Sequence, residues 1–177
     1  MIQPVRRIVT ANDADGRSKV LIEGRANKTI GVLTELWITD QTPASNEGRA
    51  DNAERSNQLE PPRRGTLFRY FQIAPESLTS DLPLEERNRL AREWFAEMKG
   101  GHLQPDTSRH PAMHKSKTTD YIILLKGEIT LVLDTEEVTL QPLDVVVQRG
   151  TNHAWVNRGK EDALLMAVLV DADHDAD

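Results

Sequence analysis

Three histidines and one aspartate in the second half of the chain are the residues best suited to chemistry. His110 and His114 precede a strand-like run that opens at Asp120, and His153 opens a later one. Imidazole and carboxylate together can hold a transition metal, transfer protons or hydrogen-bond a small ligand. Along a strand, residues two apart share a face, so Asp120 goes with Ile122 and Leu124, and His153 with Trp155 and Asn157. Two strands and two turns separate these runs, a spacing at which an antiparallel barrel brings them to one wall. His114, Asp120 and His153 then form a candidate metal or catalytic cluster, with Asp120 as ligand, or as base where no metal binds. Gln148, Trp155 and Tyr121 lie on strands beside the cluster and are the candidate substrate contacts, Trp155 by stacking on an aromatic ring. His174 sits in an acidic tail, DADHDAD, and is left out of the site.

The elements that must position these residues read as strands. Residues 119–171 hold six short apolar runs: Asp120–Leu125, Glu128–Leu133, Val138–Gln141, Asp144–Gln148, His153–Asn157 and Ala163–Asp171. Turn residues separate them, the pattern of an antiparallel sandwich or small barrel. Upstream, Val5–Thr10, Lys19–Ile22 and Gly31–Thr39 form a strand-like arm, and Thr66–Ile73 is another strand. Residues 41–65 hold almost no large apolar side chain apart from Leu59 and read as a long polar surface loop. One helix is predicted over Leu84–Met98, capped by Ser80 or Asp81, with Pro83 in its first turn and Gly100-Gly101 as its stop. Its stripe of Leu90, Ala91, Trp94, Phe95 and Met98 is expected to pack on the outside of the sheet. Arg63, Arg64 and Arg69 make a local positive patch, expected to be solvated charge rather than an anion site.

Composition narrows the classes. The 177 residues include no cysteine, which removes disulfides, Cys-ligated zinc, iron–sulfur clusters and thiol nucleophiles. With 22 Lys and Arg against 28 Asp and Glu, the net charge of −6 argues against a nucleic-acid surface. No apolar run reaches the ~18 residues of a membrane span. The first residues, Met1–Arg7, lack a signal-peptide core, so a cytoplasmic protein is expected. Asn27-Lys28-Thr29 spells a glycosylation sequon without weight in that setting.

The stretch HPAMHKSKTTDYIILLKGEITLVLD…QPLDVVVQRGTNHAWVN resembles the two-motif signature of the cupin superfamily. Asp120, six residues and Gly127 match the end of the first motif, with Asp in place of Glu; His114 falls at its first histidine and Ser116 at its second. Gly150 through His153 to Asn157 matches the latter half of the second motif. Gln148 replaces its proline, and Leu143 stands near the glycine expected before Asp144. The resemblance covers about residues 104–172. It implies an all-β, cupin-type double-stranded β-helix, a jelly-roll-like barrel, with one amphipathic helix and the N-terminal strand arm. It divides a single domain into arm and loop (1–65), strand and helix (66–103), barrel core (104–172) and tail (173–177). It also implies metal ligands at His114, Asp120 and His153 for a divalent iron, manganese, nickel or zinc ion, with no organic cofactor. Ser116 is a poor ligand, and His110, four residues before His114, is a substitute.

Three functions follow as expectations. The first is a metal-dependent enzyme acting on a small organic acid, an aromatic or a polyketide-like substrate by oxygenation, decarboxylation or isomerisation. The others are a metal-free cupin that binds a small ligand and a dimeric interaction module. A homodimer is expected, because the sheet edges of an incompletely closed barrel need cover. No nucleic-acid or membrane partner is expected.

Overall fold

The computed structural model describes residues 4–55 and 58–172, so His174 and the tail lie outside the described residues. Two antiparallel sheets face each other. The larger has the order β3 (Thr29–Ile30), β4 (Leu33–Thr39), β5 (Thr66–Ile73), β11 (Ala163–Asp171), β6 (Thr118–Lys126), β9 (Val145–Arg149). The smaller runs β10 (His153–Val156), β7 (Ile129–Leu133), β8 (Glu137–Leu140). The alternation read from the sequence sets which side of each strand is buried. In β6, Thr118, Asp120, Ile122 and Leu124 turn inward, while Tyr121, Ile123 and Leu125 turn out. Leu67, Ile122, Leu124, Ile129, Leu131, Leu165 and Leu169 fill the space between the sheets. The fold is the cupin-type double-stranded β-helix with one helix and an N-terminal arm.

That arm is a separate ribbon of β1 (Arg6–Asn12) and β2 (Ser18–Arg25). Its base packs through Val5 and Ala26 on Leu36, Tyr70 and Leu164 at the outer face of the large sheet. Arg7 fixes it there, donating to the Leu36 carbonyl and to Asp51.

The helix α1 (Leu84–Glu97) departs from its expected place and caps. Pro83 is the N-cap and neither Ser80 nor Asp81 bonds the first turn, so Glu85 and Glu86 favour the helix start through its dipole alone. At the other end Lys99, not a glycine, takes the left-handed conformation at φ 54°, with Gly100 N–H donating to the Phe95 carbonyl at 2.7 Å. Gly100 serves a different need: a Cβ there would press on Leu59 at 3.2 Å. The helix does not pack on an outer sheet face. It crosses the barrel mouth, where Phe95 and Met98 are buried with Ile30, Leu33, Leu59 and Leu103. The two adjacent large rings, Trp94 and Phe95, need a concave apolar surface, which the barrel opening supplies.

The polar segment 41–65 is also less solvated than expected. It contains a short 3-10 turn, Asn52–Arg55, with Ala53 buried, and Leu59 sits under the helix. Its backbone is recruited inward because Arg69 on β5 is fully buried. That guanidinium is held by Glu35 on β4 and by the carbonyls of Gln58 and Leu59. Arg69 therefore is not part of a surface patch with Arg63 and Arg64. Leu143 has φ 78°, so the turn before β9 keeps a glycine-like backbone although leucine occupies it, a strained choice for a side chain with a Cβ. Among the described residues no helix is long and apolar enough to cross a membrane.

Candidate functional site

The site begins with a backbone contact. His114 lies just before β6 and pairs with His153 at the start of β10 in an antiparallel bridge, with N–H to carbonyl distances of 2.8 and 2.9 Å in the two directions. The bridge sets the rings side by side, centroids 4.3 Å apart. Each ring is then fixed by its own loop. His114 Nδ1–H donates to the Ala112 carbonyl and His153 Nδ1–H to the Thr151 carbonyl, both at 2.9 Å. A carbonyl accepts only, so Nδ1 carries the proton, and in the neutral ring Nε2 holds a lone pair. Burial favours the neutral form of both rings. Burial pushes the His114 imidazole down; burial and then the neighbouring His114 push His153 down to about 3.

Asp120 comes from the inner face of β6 and borders the same cavity. Its carboxylate is buried and Oδ1 has no hydrogen-bond partner. Burial raises its pKa to about 6, against a hydrogen bond from Thr118 and the positive charge of Arg69. The cavity is about 240 Å³, and its wall is mostly apolar: Val32, Phe71, Ile73, Ile122, Leu165 and Leu169 among others. Trp94 and Phe95 from α1 close one side and Trp155 from β10 the other.

The remaining sequence candidates divide. His110 is not with the other two histidines. Its Nδ1 accepts from the Ala112 N–H, and its Nε2–H donates to Glu76 at 3.2 Å, where Arg87 also donates. It borders a second cavity of about 210 Å³, separated from the first by Ile73, Ala112 and Trp155, which line both. Gln148 faces inward opposite Asp120 in register but spends its amide on Thr151 and does not border the cavity. Tyr121 is turned away from it, since the period that points Asp120 inward points its neighbour out. Missing from the sequence reading were Trp94, Phe95 and the Arg69–Glu35 pair. The signal for the pair was present: Arg69 alternates with Leu67 and Phe71, and Glu35 with Leu33, which puts opposite charges on the inner faces of two strands.

The donor set decides how well a divalent metal fits. Among the described residues no three His, Asp or Glu side chains stand together as a metal-holding group. Two imidazoles offer Nε2, Asp120 borders the same cavity without grouping with them, and Ser116, at the position of a further imidazole, bonds the Thr118 hydroxyl at 2.7 Å. Metal sites with open positions ordinarily use three protein ligands. As placed, these residues do not complete one, and no step below runs through a metal. Ser116→His supplies the missing imidazole. Dialysed wild-type protein offered Mn(II) or Ni(II) is expected to retain well below one equivalent, and the variant to retain about ten-fold more by elemental analysis. A stoichiometric wild-type ion would overturn this.

Comparison with known proteins agrees with the geometry. Residues 101–169 match the family model of the Cupin domain. That stretch is a cupin domain, of the superfamily the sequence resembles. This cupin is 55% identical over 47 residues to the phomopsin biosynthesis cluster protein C′ of Diaporthe leptostromiformis, covering 26% of this chain and 25% of that one. It is 27% identical to the cupin-domain-containing oxidoreductase fogC of Aspergillus ruber over a 180-residue alignment, 94% of this chain and 72% of the relative. Over 152 residues it is 38% identical to the cupin-domain-containing oxidoreductase srdD of Neurospora crassa, 82% of this chain and 60% of the relative. The cupin thus spans about a quarter of the length of the first of these and 60% of the last. Its relatives include cupin-domain oxidoreductases and a protein of a biosynthesis cluster.

Proposed function

We propose that this cupin is a small-molecule enzyme whose chemistry is proton transfer by Asp120 inside the apolar cavity. The observation that carries the reading is a buried carboxylate oxygen without a partner, bordering a cavity beside two neutral imidazoles. A carboxylate whose pKa is near the working pH both takes and returns a proton efficiently. Asp120 removes a proton from carbon next to a carbonyl and returns one at another position of the molecule, its carboxyl exchanging with solvent in a fraction of turnovers. The net change is an isomerisation that needs no oxidant. His114 and His153 orient the ligand through Nε2, and the apolar wall excludes water, which strengthens each of these contacts. Among the reactions implied by the resemblance, isomerisation is the one that proton transfer by this set performs directly. Metal dependence stands as the second reading, on the two adjacent Nε2 lone pairs. Deuterium incorporation from heavy water into enolisable aromatic ketones, followed by NMR, tests the proposal. Exchange catalysed by the wild type and lost in Asp120→Asn supports it; equal exchange in both refutes it.

The cupin also pairs with a second copy. Tyr121, Ile123 and Leu125 on β6 and Val145 and Val147 on β9 form one exposed apolar face, with β9 at the sheet edge. A contiguous apolar face beside an open edge strand marks an association surface. The ribbon β1–β2 offers Ile8 and Val20, each half exposed, to cover it. Light scattering is expected to give twice the chain mass of 19.9 kDa, and Ile123→Lys with Val147→Lys to return the monomer. A wild-type monomer at all concentrations would refute the pairing.

A further inference from the structure

We infer that the cavity takes an uncharged, planar aromatic ligand bearing hydroxyl groups, and not an organic acid. The inference rests on the reading of the Asp120 cavity as the working site. Two observations carry it. The first is a continuous run of rings along the wall: Trp94 to Phe95 at 4.9 Å, Phe95 to His114 at 5.1 Å, His114 to His153 at 4.3 Å and His153 to Trp155 at 6.0 Å. All five border the cavity. A flat ring stacks or meets edges anywhere along such a wall. The second is the sign of the polar groups. Among the described residues no lysine or arginine lines the cavity. Arg69, the buried cation whose charge reaches Asp120, is committed to Glu35 and two backbone carbonyls.

The wall presents a carboxylate and two imidazoles whose protonated nitrogen is already spent on the backbone, together with the Ser116 hydroxyl, bonded to Thr118, and the Trp94 indole, whose N–H lies against Gly31. The carboxylate and the two imidazoles accept hydrogen bonds. A ligand carboxylate would be desolvated beside Asp120 with no countercharge, which is costly. A hydroxyl donates to Nε2 or to Oδ1 and satisfies the acceptor left without a partner. An ammonium would meet Asp120, yet it would strip three strongly hydrated N–H groups in an apolar chamber.

Ligand-observed NMR titration of the full chain with resorcinol, benzoate, benzylammonium and toluene at pH 7.5 tests this. Resorcinol is expected to bind at least ten-fold more tightly than each of the other three. Ala167→Phe, which fills the cavity, is expected to abolish resorcinol binding while circular dichroism stays unchanged. Equal or tighter binding of benzoate or benzylammonium overturns the inference. So does toluene matching resorcinol, resorcinol binding that survives Ala167→Phe, or no binding by any probe. Should the Phe variant misfold, Trp155→Ala provides the same test, with at least a five-fold loss expected. The readout is binding alone, so a failure of Asp120 as a base leaves this order of affinities standing, and the reverse order leaves the base role standing.

Discussion

Glu35→Gln is expected to destabilise this cupin by about 3–5 kcal/mol, the range for breaking one side of a fully buried ion pair. Both side chains of the Glu35–Arg69 pair have zero exposure, and Arg69 Nη2 lies 2.7 Å from Glu35 Oε1. Glutamine keeps the shape and most hydrogen-bonding capacity but leaves the guanidinium without a countercharge in the barrel interior. For a domain of this size each kcal/mol moves the unfolding midpoint by roughly 2–4 °C, so a fall of roughly 6–20 °C is expected by calorimetry. The double variant Glu35→Leu with Arg69→Met should recover most of it, because two apolar side chains of similar volume remove both desolvated charges together. The exposed pair Arg89–Glu93 on α1 is the control: Glu93→Gln should leave the midpoint unchanged. A midpoint for Glu35→Gln within about 2 °C of wild type would show that Arg69 is sustained by the Gln58 and Leu59 carbonyls alone.

The same pair shows what was legible in the sequence. The strands were readable because short apolar runs end at turn residues; their order was not, because half of the pairings among the described residues, such as β5 with β11 and β6 with β9, join strands that are not consecutive. Asp120, His114 and His153 converge on one cavity for the reason the period of two gives. The helix was readable as a helix but not as the cover of the barrel mouth, because an apolar stripe states that a face is buried without stating against what. Arg69 read as one of three neighbouring arginines, since proximity along the chain suggests a patch; its register in β5 is what separates it from Arg63 and Arg64. His110 and His114 are four residues apart, yet they serve different cavities, because the Ala112 amide and carbonyl fix the two rings in turn. Tyr121 was placed beside the site by adjacency to Asp120, where alternation assigns it to the opposite face.

Asp120→Asn is expected to lower turnover by ~10²–10⁴-fold, the usual contribution of a general base, while resorcinol binding changes only a few-fold. Asparagine retains the size and an acceptor oxygen but cannot take a proton. In the wild type the rate should rise as pH rises through about 6, where the carboxyl becomes the base. Stability responds in the opposite direction. The unfolded carboxyl titrates near ~3.9, so its raised folded pKa contributes stability that is complete below about pH 4 and is lost as pH rises through about 6. A shift of this size corresponds to about 3 kcal/mol, and the variant is spared that loss. Urea unfolding at pH 4, 5.5 and 7 is therefore expected to show Asp120→Asn gaining on wild type at each step. The histidines work the other way: His114 and His153 stay neutral when folded, so both proteins weaken as pH falls below ~6.5 and the unfolded chain takes up protons. That acid limb is common to the two proteins and cancels in their difference, leaving the Asp120 contribution alone. A difference that stays flat from pH 4 to 7 would mean the carboxyl is solvated in both states, and turnover that survives the substitution would move the proton-transfer role to another group.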